Sequence, residues 1–195
     1  SIYGSGRERV TIKATSGTDH LHGAGPLYLY NLSLDAFSGR KVLKQKSSTI
    51  NMQIHAYFCT FNEAMAGDHA SSQFYDCTFL GGWVPDATDS PDSVTIIGGE
   101  LDGSSKLFDF QTNSVSISKW KVIGFSINGT TNRMLFYSVD DSEFDLIGPK
   151  SADVESVSTF DVNRAFNASI LRGVFNAPSA AINIFNFSLT AGVNS

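Results

Sequence analysis

The residues of this chain able to do chemistry by type and spacing are five carboxylates, two lysines and a tryptophan. They are Asp76, Glu100, Asp102, Glu143, Asp145, Lys119, Lys121 and Trp83. Glycoside hydrolysis needs two carboxyls, about 5–5.5 Å apart for retention of configuration or about 6.5–9.5 Å for inversion. Asp76 with Glu100 or Asp102 is one candidate acid/base or nucleophile pair. Glu100 with Asp145 across Lys121 is a candidate inverting pair, and Glu143 extends the same charged row. Lys119 and Lys121 would hold substrate. Trp83 opens a segment with two prolines and three aspartates and would offer a ring for sugar stacking. Plainer readings stand beside these. Alternating Glu, Lys and Asp also make an ordinary solvated face, where each pair contributes little. A loop tryptophan can fold back on its own strand.

These residues meet only if distant segments stack in register, and the sequence contains the repeat that would do it. Tyr57-Phe58-Cys59-Thr60-Phe61 recurs as Phe74-Tyr75-Asp76-Cys77-Thr78-Phe79, with a cysteine at the same place in each copy. Such self-similarity marks a repeated structural unit. Apolar residues continue the pattern at Phe61, Phe79, Leu101, Val122, Leu146, Ile170 and Leu189, in steps of 18, 22, 21, 24, 24 and 19. Ile12 and Leu34 extend it upstream at a similar step. Short alternating strands at a period of about 21 residues predict an all-β solenoid. A two-sheet sandwich also gives short strands between turns, but here the strands match one another in sequence. Neighbouring rungs would lie about 4.8 Å apart, so carboxylates one or two rungs apart reach the catalytic separations.

Parity then sorts the side chains. Cys59 and Cys77 lie two places before the repeat phenylalanines and should point inward as stacked, buried thiols. Trp120 also has inward parity. One helical turn is expected at Glu63-Ala64-Met65-Ala66, and the basic run Gly39–Lys46 reads as a solvated turn. Residues 83–93 and 149–158 read as loops inserted into a single domain spanning 1–195.

Composition narrows the function classes. A net charge of −5 with 17% charged residues carries no electrostatic footprint for nucleic acid. No apolar run approaches the ~20 residues that cross a bilayer. Two cysteines make no disulfide framework. His20 and His22 lack further ligands, so neither a metal nor another cofactor is expected. No nucleophile–histidine–acid constellation or phosphate loop is present. The first residues, Ser1-Ile2-Tyr3-Gly4, read as a strand and turn, with no initiator methionine, as expected of a fragment of a longer protein.

Rungs of this length, with apolar stacks inside and Asn, Ser and Gly at corners, resemble the right-handed parallel β-helix of the pectin-lyase-like superfamily. Cys59-Thr60-Phe61, Cys77-Thr78-Phe79 and Gly98-Gly99-Glu100-Leu101-Asp102-Gly103 are similar to rungs of bacteriophage tailspike and appendage proteins. The resemblance covers roughly residues 7–190 and is one of pattern; no catalytic signature of a β-helix enzyme matches position by position. It implies a single-stranded right-handed helix, a homotrimer on a virion, and binding, often with cleavage, of bacterial surface polysaccharide. Three roles follow as expectations: a glycan-binding phage appendage, a polysaccharide hydrolase or lyase using the carboxylates above, or a structural shaft.

Overall fold

A computed structural model describes residues 1–6, 10–14, 21–23, 25–36, 40–45, 53–65, 71–83, 93–102, 107–110, 119–128, 133–136, 139–147, 160–162, 166–174 and 185–187. Most of the two inserted loops expected at 83–93 and 149–158 lies outside them. The protein is all-β: every strand pairing among the described residues is parallel, and no helix occurs there. The chain coils as a parallel β-solenoid, each turn contributing to three faces.

The first face is built from Ile2–Tyr3, Leu27–Tyr30, Gln53–Tyr57, Ser71–Tyr75 and Ser93–Ile97. It continues into Lys119–Ile127, Val139–Ile147 and Phe166–Val174. The second face stacks Thr11–Lys13, Ser33–Asp35, Thr60–Phe61, Thr78–Phe79 and Glu100–Leu101 onto the far end of Lys119–Ile127. The third face begins with Leu21–Gly23 and Leu43–Gln45 and runs through single bridges at Met65 and Trp83. It ends in a sheet of Leu107–Phe110, Arg133–Phe136, Phe160–Val162 and Phe185–Phe187.

Strand parity explains the burial. In Gln53–Tyr57, Ser71–Tyr75 and Ser93–Ile97 every second residue is buried, so alternate side chains enter the core and the rest face out. The inward column of the first face runs Leu29, Ala56, Phe74, Ile96, Val122 and Phe144. That of the second runs Ile12, Leu34, Phe61, Phe79, Leu101 and Ile127. Where the columns converge the core is aromatic. Phe79 packs flat on Phe61 at 5.2 Å and edge-on to Phe74 at 5.2 Å and Phe108 at 5.1 Å. Trp120 is buried, as its parity requires.

The second-face repeat of Ile12, Leu34, Phe61, Phe79 and Leu101 is in register as the sequence suggests. The expected continuation through Val122 is not. Val122 pairs with Ile96 and Phe144 on the first face, and Ile127 takes the position above Leu101. Leu146 pairs with Phe125, and Ile170 with Glu143. The rung from Leu101 to Ile127 takes 26 residues, against 18 and 22 for the two before it, so a fixed average step stops at the near end of Lys119–Ile127, on the first face, and not at its far end. It lands on another inward apolar residue, and nothing in hydrophobicity separates the two. The remaining repeat position, Leu189, lies outside the described residues.

Two local expectations also change. Met65 sits in a parallel bridge to Trp83 where the sequence predicts a helical turn at 63–66, because a backbone group enclosed between rungs is satisfied most directly by the rungs themselves. Within the basic run, Leu43–Gln45 is a strand and Val42 and Leu43 are buried. Two apolar residues among the lysines are enough to draw the backbone onto the third face.

Candidate functional site

Between the first and second faces the chain turns a corner through a left-handed residue. Asn31, Phe58, Asp76, Gly98 and Gly124 have φ of 52, 55, 47, 66 and 61° and form a column. Backbone bonds carry the stacking round this bend. Phe58 N–H donates to Tyr75 O, Asp76 N–H to Ile97 O and Gly98 N–H to Ile123 O, at 2.9, 2.9 and 2.8 Å. Beyond the corner, Thr78 N–H donates to Cys59 O and Glu100 N–H to Cys77 O, both at 2.9 Å. Asn, Asp and Gly tolerate this conformation, whereas a bulky residue there is an outlier.

The corner holds an open groove of about 380 Å³ lined by Phe58, Asp76, Thr78, Gly99 and Glu100. Its shape follows from the Gly98-Gly99 pair. A side-chain carbon on Gly98 would collide with Asp76 Oδ1, and one on Gly99 with the backbone of Cys77. The two glycines therefore leave space over Asp76. Glu100 is fixed from both neighbouring rungs: Asn128 Nδ2 donates to its Oε2 at 2.6 Å, and Thr78 Oγ1 to its Oε1 at 3.4 Å. The Phe58 ring forms another wall and is 47% exposed. The groove thus combines two carboxylates, a hydroxyl and an exposed ring, a set able to hydrogen-bond and stack a polar ligand with one apolar face.

The candidate residues separate into groups. Asp76 and Glu100 share the groove. Asp102 follows on the second face, half-buried, its N–H bonded to Phe79 O at 3.0 Å, and does not line it. Lys119 and Lys121 are exposed on the first face, opposite Ser93 and Thr95, with Glu143 opposite Lys121 in the next rung. Asp145 pairs in register with Arg172. The inverting arrangement of Glu100 and Asp145 across Lys121 is therefore corrected: Glu100 lies between Thr78 and Ser126, and Lys121 between Thr95 and Glu143. The cause is the one that displaced Val122.

Trp83 is also corrected. It is fully buried, bridged to Met65 and Phe108 on the third face, with its ring edge-on to Phe74 at 5.5 Å and to Phe108 and Trp120 at 6.0 Å each. An indole surrounded by core rings is no stacking platform. The prolines and aspartates that make the segment look exposed all follow Trp83 in sequence.

Two features lie outside the expectations. One is Phe58 in the groove; its signal is its alignment with Asn31 and Asp76, corner residues by type. The other is a ladder of stacked tyrosines on the outside of the first face. Tyr3, Tyr30, Tyr57 and Tyr75 stack with ring centroids 4.6, 4.9 and 4.9 Å apart and planes within 6°. Beside it Tyr28 stacks on His55 at 4.7 Å, and His55 Nδ1 lies 3.3 Å from Gln73 Oε1. Burial first, then its neighbours Tyr3, Tyr57 and Tyr28, raise the Tyr30 phenol above its ordinary value.

Cys59 and Cys77 are free thiols, both buried, one rung apart. Their S–H groups approach backbone carbonyls: Cys59 that of Tyr57 at 3.3 Å, Cys77 those of Ala56 and Tyr75 at 3.5 Å. Burial, reinforced by contact with Cys59, pushes the Cys77 thiol well up, so it stays protonated and packs as a small apolar group. Among the described residues no three or more His, Cys, Asp or Glu are grouped to hold a metal ion. Comparison of the chain with protein-family models, curated proteins and solved structures gives no match.

Proposed function

We propose that this β-solenoid recognises bacterial cell-surface polysaccharide, with the Asp76–Glu100 groove as the place where a sugar rests. One observation carries the reading: residues from successive rungs combine two carboxylates, Thr78 and the Phe58 ring in one open groove of about 380 Å³. Hydroxyls bond to carboxylates and threonine, and the C–H face of a sugar packs on an aromatic ring. The resemblance of the rungs to phage tailspike and appendage proteins supports a role in host attachment, as a homotrimer on the virion, since closed symmetry is the common way to assemble such shafts.

A second reading, cleavage of the bound polysaccharide, is favoured by the same pair of carboxylates. Asp76 and Glu100 stand diagonally on adjacent rungs, since Glu100 pairs in register with Thr78, and they line one groove, which supplies the two carboxyls that glycoside hydrolysis requires. Purified protein incubated with capsule or lipopolysaccharide from candidate hosts separates the readings. Binding without new reducing ends supports recognition alone. Release of reducing ends, abolished in Glu100→Gln or Asp76→Asn, supports hydrolysis, and undiminished release in both variants removes the groove from the chemistry. Failure to bind any host glycan leaves a structural shaft. Light scattering tests the trimer; a monomer at micromolar concentration would count against it.

A further inference from the structure

We infer that the groove selects a pyranose residue bearing no acidic group, and that Phe58 is the residue on which it stacks. The inference rests on the glycan-binding reading above and adds the ligand's charge class and its anchoring side chain.

The argument starts from the corner column. Its five positions all require a left-handed backbone, and four are filled by residue types that accept it: Asn31, Asp76, Gly98 and Gly124. The fold would be served at residue 58 by any of these. Phenylalanine is a bulky type that the position suits poorly, yet its ring is not folded into the core, as those of Phe61, Phe74 and Phe79 are. It stays 47% exposed and lines the groove. Local rules are broken most often where function demands it. Here the exception places a flat apolar surface beside the groove side chains able to bond hydroxyls.

The charge class follows from those side chains. Asp76 and Glu100 both line the groove, and among the described residues no cationic side chain does. Lys119 and Lys121 stand on the first face, opposite Ser93 and Thr95. A uronate or sialate would bring a third carboxylate into the groove without a lining cation to meet it, and like charges at close range are unfavourable. Hydroxyl, acetamido and amino groups each offer donors that carboxylates accept. Glu100 is already held by Asn128 and Thr78 at 2.6 and 3.4 Å, so its orientation is set before the ligand arrives.

The test is affinity electrophoresis through gels containing purified bacterial polysaccharides of known repeating unit, some free of acidic sugars and others containing uronate or sialate. The proteins run are the wild type, Phe58→Asn and Tyr28→Ala. Asn is what the preceding rung carries at the same corner, so Phe58→Asn preserves the turn; circular dichroism and the thermal midpoint verify its fold. Tyr28, 36% exposed and stacked on His55 outside the groove, controls for a generally sticky surface. The expected result is retention by at least one polymer free of acidic sugars and none by the acidic ones. Phe58→Asn should lose at least tenfold in apparent affinity, and Tyr28→Ala should bind as the wild type. Retention by the acidic polymers, undiminished binding by Phe58→Asn, or equal loss in both variants overturns this inference while leaving glycan binding standing. Absence of retention in every gel overturns both.

Discussion

Replacing Phe79 by alanine should cost far more stability than replacing Phe58, although the two belong to adjacent rungs. Phe79 is fully buried, and four rings surround it: Phe61 at 5.2 Å, Phe74 at 5.2 Å, Phe108 at 5.1 Å and Phe125 at 6.0 Å. Burying a phenylalanine contributes about 1.5–3 kcal/mol, and each aromatic pair adds about 0.5–1.5 kcal/mol before shared contacts are discounted. Residues from three faces enclose the site, so it cannot collapse readily around a cavity. Phe79→Ala should therefore fall at the upper end of the usual range for such a change, about 4 kcal/mol. That is a large share of the roughly 5–15 kcal/mol that holds a domain together. Phe58→Asn loses the contacts of a half-exposed ring but relieves a left-handed strain of about 1–2 kcal/mol, so the two effects nearly offset. Equilibrium urea unfolding followed by tryptophan fluorescence measures both, since Trp83 and Trp120 lie in the same ring cluster. For a slope of about 2 kcal/mol per molar, Phe79→Ala should lower the midpoint by about 2 M and Phe58→Asn by less than about 0.5 M. Equal losses in the two variants would mean that Phe79 is not enclosed between rungs, and the stacked core described above would be wrong.

Three further outcomes are expected. Gly99→Ala should destabilise by about 1–3 kcal/mol in the same urea assay, because its φ is 81° and the new carbon would meet the backbone of Cys77. Gly124→Ala, with φ of 61° and open space around it, should lose only about 1 kcal/mol. A smaller loss at 99 than at 124 would refute the crowding. The raised Tyr30 phenol means that folding favours its protonated form. Its contribution is complete below the unfolded value of about 10 and is lost as pH rises through the higher folded value. The thermal midpoint should thus fall above about pH 10 and fall less in Tyr30→Phe; the same fall in both would clear Tyr30 of the effect. Cys59 and Cys77 should resist a thiol reagent at neutral pH until urea unfolds the chain, and rapid labelling of either in the native protein would place it outside the core.

The sequence alone established the kind of fold and the inward column of the second face from Ile12 to Leu101. Side-chain alternation along a strand is a local property, and two near-copies in close succession state the stacking directly, so Phe61, Phe79, Cys59 and Cys77 were all legible. What stands beside what across rungs is set by the three-dimensional fold. Rung length varies with the turns: the rung from Phe61 to Phe79 is short and that from Leu101 to Ile127 is long. A small error in that length moves a side chain to another face while leaving its hydrophobicity pattern intact. Hence a constant step sets Lys121 beside Glu100, when its neighbours are Thr95 and Glu143. The polar residues that follow Trp83 assign it to the surface, yet its bridges to Met65 and Phe108 carry it into the core. Parity already turns Phe58 outward, and the left-handed corner that joins the two faces there sets its ring next to Asp76 and Glu100.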